Sequence, residues 1–179
     1  MFINQKITKF LTFFFCFSIF SSISQTNEDV PLNNIAINEI PKPISSIIFE
    51  DFSGNEIDLK NYSGKLIIVN FWATWCSPCK KEMPSFDNLY QDNNFKNLEV
   101  FAVNMEQPNT LKTKKFFNDL KIKKLSIFFD RNLNFVKEFK LRGVPTTIII
   151  NKKGEEFARI IGEVNFQDEK LLKWLLKYD

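Results

Sequence analysis

An apolar, β-branched run, Leu66-Ile67-Ile68-Val69, is followed by Cys76-Ser77-Pro78-Cys79 and then by Lys80-Lys81-Glu82-Met83, a stretch of good helix formers. No other part of the chain constrains its fold as tightly. The run reads as a buried strand. Pro78 falls in the first turn of the following helix, where its missing N–H costs nothing. Cys76 is thereby placed at or just before a helix N-terminus. The partial positive charge there stabilises a thiolate and lowers its pKa. Cys79, three residues on, is a partner thiol within bonding reach.

Two other uses of such a pair fit less well. A structural zinc needs four ligands, usually Cys or His. The chain has no His, and its third cysteine, Cys16, lies in a segment that reads as an export signal. A purely structural disulfide closing so small a loop would remove little unfolded-state entropy. A redox dithiol is the stronger reading, and neither a metal nor a cofactor is expected.

The export reading rests on residues 1–24. Lys6 and Lys9 make a basic start, 10–23 is apolar with a few Ser and Thr, and Ser22-Ile23-Ser24 puts small residues before Gln25. This is the pattern of a cleavable signal. The run is short for a membrane span, which takes about 20 residues, so an uncleaved anchor is the secondary reading. Phe13-Phe14-Phe15 is too bulky for lipoprotein processing at Cys16. Loss of residues 1–24 would leave Cys76 and Cys79 as the whole cysteine content and 22 basic against 21 acidic residues, a net charge of +1. Such a balance gives no electrostatic case for nucleic-acid binding. Outside the cytoplasm thiols are oxidised unless something keeps them reduced, which suits a chain carrying one dithiol.

Residues 25–43 are polar, rich in Asn and punctuated by Pro31, Pro41 and Pro43, and read as a linker. The length, 179 residues, suits one domain, here 44–179. It begins with a hairpin, Ile47-Ile48-Phe49 and Ile57-Asp58-Leu59 around a Gly-containing turn. Strands are then expected at 66–71, 100–104, 126–129, 146–150 and 156–161. Helices are expected at 78–91, 109–120 and 134–139, with a last one opened by Asp168 and Glu169. Its buried face is read as Leu171, Leu172, Leu175 and Leu176. The order is that of an α/β domain with a central mixed sheet flanked by helices. The lysines at 112, 114, 115, 121, 123 and 124 alternate with apolar positions and read as a solvated helix face.

Phe71-Trp72-Ala73-Thr74-Trp75-Cys76 with Lys80-Lys81-Glu82-Met83-Pro84, and 66 residues beyond Cys79 the block Gly143-Val144-Pro145-Thr146-Thr147, resemble the thioredoxin superfamily and, within it, the TlpA/ResA-like thiol-disulfide oxidoreductases. The resemblance runs over about 44–178. It implies a thioredoxin fold with an N-terminal β-hairpin extension and a cis peptide bond before Pro145. It also implies an extended substrate segment held against the Val144 backbone, with Trp75 beside it. Cys76 is expected to be the nucleophile and Cys79 the resolving thiol, the two forming the redox-active disulfide. Many thioredoxins carry a buried carboxylate six residues before the first cysteine. Asn70 stands there in this chain and cannot take a proton. Glu82, on the face of the helix shared with Cys79, matches the family's Lys-Glu-x-Pro glutamate and is the expected proton acceptor or electrostatic tuner. Pro84 is expected to kink the helix rather than end it.

The expected function is an exported, monomeric thiol-disulfide oxidoreductase in the bacterial periplasm or on the outer face of the inner membrane. It would reduce disulfides in exported proteins, cytochrome c maturation among its tasks, and draw electrons from a membrane thiol donor. An oxidase or isomerase is the nearest alternative, although members of that kind often carry a His inside the motif. A peroxidase of the same fold would need Thr three residues before its cysteine, where Ala73 stands. A scaffold that only binds partners would not need both cysteines.

Overall fold

The computed structural model describes residues 30–179. The signal-like segment 1–24, Cys16 included, lies outside them, as do the first residues of the proposed linker.

The described chain runs β1 (Ile35–Pro43), β2 (Ile48–Asp51), β3 (Glu56–Asp58), β4 (Leu66–Trp72), α1 (Ser77–Tyr90), β5 (Leu98–Asn104), α2 (Thr110–Asp119), β6 (Ile127–Phe129), α3 (Asn134–Phe139), β7 (Thr146–Ile150), β8 (Glu155–Ile161) and α4 (Glu169–Leu176). The strands form one sheet in the order β1-β8-β7-β4-β5-β6-β2-β3. Strands β4, β5 and β6 are parallel, and the other neighbours are antiparallel. This is the mixed sheet that the element order implied.

All seven residues of β4 are buried, as an inner strand covered on both faces must be. Its side chains alternate between two cores. Leu66, Ile68 and Trp72 join α1, α2 and α4 through Met83, Phe86, Phe116, Phe117, Leu171 and Trp174. Ile67, Val69 and Phe71 join the core under α3 with Phe101, Ile148, Phe135 and Phe139. Asn70 is the polar member of the first set, so its amide points into the layer that α1 covers.

The hairpin before the core is present as β2 and β3, with β2 docked on β6 at the far sheet edge. Two expectations need correction. The stretch 35–43, read as part of a linker, is strand β1, paired with β8 from Ile35↔Ile160 to Pro43↔Glu155. Its periodicity is silent because it is an edge strand and only Ile35 is buried. Prolines are tolerated on such an edge, and Pro41 sits in a bulge between Ile37 and Lys42. In α4 the buried set is Leu171, Trp174 and Leu175, while Leu172 is only half-buried and Leu176 is exposed. Trp174 wins the i, i+3 position because it packs against Phe157 and Tyr178.

Helix α1 continues past Pro84 to Tyr90. Ser85 Oγ donates to the Glu82 carbonyl at 2.7 Å, a local side-chain bond of the kind that satisfies carbonyls near a helix irregularity. Asp87, buried on the same helix, accepts the backbone N–H groups of Lys123, Lys124 and Leu125. The loop entering β6 is thereby tied to α1.

Candidate active site

Strand β4 ends at Trp72, and the loop Ala73-Thr74-Trp75 delivers Cys76 as the N-cap of α1. Cys76 and Cys79 are joined by a disulfide, their Cα atoms 5.3 Å apart. The Cys79 N–H donates to Cys76 Sγ at 3.2 Å. One unsatisfied donor of the helix start is therefore aimed at the sulfur, alongside the helix dipole, and both favour a thiolate at Cys76 once the pair is reduced. Cys76 is the more accessible cysteine by a small margin, 3% against 0% for Cys79, whereas Trp75 is 69% exposed beside them. Trp72 is fully buried and stacks on Phe116.

Glu82 lies one turn beyond Cys79 and is 2% exposed. Burial pushes its carboxyl up to about 7, with a smaller push from the Glu163 charge, against the hydrogen bonds that favour the anion. Those bonds come from Asn70 Nδ2 to Oε1 at 2.8 Å and from the Val164 N–H to Oε2 at 3.1 Å. Asn70 Nδ2 also donates to Thr147 Oγ1 at 3.0 Å, across the registered β4–β7 pair. Asn70 and Glu82, treated separately in the sequence, are thus in contact. A hollow of about 200 Å³, lined by Lys81, Ser85, Glu163 and Asn165, abuts the carboxyl.

The Val144–Pro145 peptide bond is cis. Pro145 is buried and Val144 half-buried. The loop is held by Thr146 Oγ1 donating to the Gly143 carbonyl at 2.8 Å and by the Gly162 N–H donating to the Pro145 carbonyl at 3.0 Å. Val144 lies beyond the last ladder pairs of β7, Phe71↔Thr146 and Thr146↔Ile161. It packs against both cores, the one containing Cys76 and Cys79 included.

One functional neighbour went unread in the sequence. Glu106 accepts the Thr74 N–H at 2.5 Å, the Thr74 hydroxyl at 3.0 Å and Lys112 Nζ at 2.6 Å. Burial pushes its carboxyl up, but Lys112 and Thr74 together outweigh that and hold it below the usual value. The loop that presents Trp75 and Cys76 is therefore clamped from the end of β5. The chain offers no local signal for this contact, since Thr74 and Glu106 are 32 residues apart.

Residues 40–155 match the AhpC/TSA family. The thiol-disulfide oxidoreductase ResA of Halalkalibacterium halodurans is 36% identical over 110 residues, which span 62% of this chain and 61% of that protein. ResA of Bacillus anthracis is 32% identical over 139 residues, 78% of each chain. Among solved structures, StoA of Bacillus subtilis superposes with a TM-score of 0.62 at 28% identity, over 75% of this chain and 98% of that one.

Proposed function

We propose that this chain, which belongs to the AhpC/TSA family and is a thiol-disulfide oxidoreductase of the ResA and StoA type, works outside the cytoplasm as a reductant of disulfides in exported proteins. The observation that carries the reading is the Cys76–Cys79 pair at the start of α1 with a carboxyl titrating near pH 7 one turn behind it. The Cys76 thiolate attacks a substrate disulfide, forming a mixed disulfide and expelling one substrate thiolate, which takes a proton. Cys79, its proton passed to Glu82, attacks Cys76 Sγ and expels the second substrate thiolate. Two electrons have then moved to the substrate, and the Cys76–Cys79 disulfide is the product state. A membrane thiol donor returns the electrons.

Trp75, Val144 and Pro145 are assigned to the substrate. Val144 is placed to pair its backbone with an extended segment, a form of strand addition. The signal-like residues 1–24 support export, to the periplasm or the outer face of the inner membrane. Oxidised haem-site cysteines of apocytochrome c are one substrate class of this kind. The protein acts as a monomer.

A peroxidase reading is disfavoured by one contact. Thr74 is the nearest hydroxyl in the loop, and it is committed to Glu106 at 3.0 Å. The direction of transfer is tested by titrating the dithiol against glutathione or dithiothreitol. A reductant is expected at or below roughly −250 mV, as in thioredoxin. A value near about −120 mV would make the protein a disulfide donor instead.

A further inference from the structure

A cleft of about 780 Å³ opens behind the Val144–Pro145 loop, between it, the end of β8 and the bulge of β1. Four cations line it, Lys42, Lys140, Arg142 and Arg159, and no carboxylate does. Arg159 is neutralised by Glu156 at 2.5 Å and donates to the Phe139 carbonyl at 3.2 Å. The other three are exposed, and among the described residues no carboxylate pairs with them. Chain segments 98 residues apart supply these three, Lys42 from β1 and the others from the loop after α3. The chain beyond residue 24 is nearly neutral, so this cluster is a local concentration of charge. Ile161 also lines the cleft and is 54% exposed, with the half-buried Leu141 and Val144 beside it. Ile161, Leu141 and Val144 beside unpaired cations make a surface complementary to an acidic segment with apolar residues of its own.

We propose that this cleft binds an acidic, partly apolar stretch of the protein substrate, next to the segment that lies along Val144. The proposal rests on the oxidoreductase reading. It adds that the enzyme selects disulfides flanked by Asp or Glu and apolar side chains. The bulge of β1 is part of the device. Asn38 Nδ2, donating to the Glu156 carbonyl at 3.0 Å, ties the strand back to β8 while Lys42 faces the cleft.

The test uses the full-length chain and two fluorescein-labelled peptides with their cysteines replaced by serine, one flanked by Glu and Leu, the other by Lys and Leu. Anisotropy should show the acidic peptide bound at least about fivefold more tightly, with the gap closing at about 0.5 M salt. The variant Lys42→Glu/Lys140→Glu/Arg142→Glu should reverse the preference. The companion Lys42→Arg/Lys140→Arg/Arg142→Lys should retain it, which controls for folding. Equal binding of the two peptides, or an unaltered preference in the charge-reversed protein, would overturn the proposal. Capture of phosphatidylglycerol vesicles without peptide binding would overturn it too and assign the surface to a membrane. Reduction of hydroxyethyl disulfide by the unaltered protein is measured separately. Its absence would count against the oxidoreductase reading and leave the binding result to stand or fall alone.

Discussion

The two faces of the sheet are built from the same strands to opposite ends. Toward α3 the packing is a set of aromatic and aliphatic side chains, with Phe49, Phe101 and Phe128 meeting edge to face at 5.2 to 5.5 Å. Toward α1 the interior holds Asn70, Thr147 and Glu82 beside a disulfide. Burying a carboxyl that titrates near neutrality costs stability whenever it is ionised. The α3 face offsets that cost with apolar burial. The polar, reactive groups are thereby confined to one side of β4, beside the apolar packing of Leu66, Ile68 and Trp72, while Ile67, Val69 and Phe71 on its other side only pack.

Three experiments would break or sharpen that contrast. The largest effect is expected on the reactive face. Cys79→Ser should cut steady-state reduction of a protein disulfide by at least about 10³-fold and trap a mixed disulfide on Cys76, visible by mass spectrometry. Turnover that survives the substitution would remove Cys79 from its resolving role.

Next comes the opposite face. Phe101 is 1% exposed and touches three aromatic rings. Phe101→Ala should lower unfolding free energy by about 3–5 kcal/mol in urea titrations and leave the reduction potential of the dithiol where it was. A shifted potential would mean that the two faces are coupled.

The smallest effect is expected at Glu82, where the faces differ in chemistry rather than in packing. Its carboxyl titrates near 7 when folded against 4.5 as the ordinary value. The folded state therefore holds a proton that the unfolded chain has released between those values. Stability should fall as pH rises through that window and level off above it, by on the order of 3 kcal/mol. Glu82→Gln should abolish this slope, and it should slow disulfide reduction about 10- to 100-fold. A slope that survives in Glu82→Gln would move the titration to another group.

Local sequence carried the elements whose periodicity is set by burial. Helix α3 and strand β7 fall on their expected residues, and the last helix opens at Asp168 and Glu169 as read, with Asp168 as its N-cap. Strand β1 escaped because an edge strand with one buried side chain has no apolar alternation to read. Trp174 displaced Leu176 because distant partners, Phe157 and Tyr178, define the buried side of α4.

At the site, the spacing of Cys76 and Cys79 and the start of a helix beside them are facts of adjacent residues, and adjacency is what a sequence records. The chain by itself therefore determined the dithiol, its place at a helix end and the alternation of strand and helix around it. The acidity of Glu82 depends on Asn70 from β4 and on Val164, 82 residues away. The clamp of Glu106 on Thr74 and the meeting of Lys42 with Lys140 and Arg142 likewise join segments far apart in the chain. Only the tertiary structure decided these, because desolvation and hydrogen bonding act between whatever the fold brings together, at any separation along the backbone.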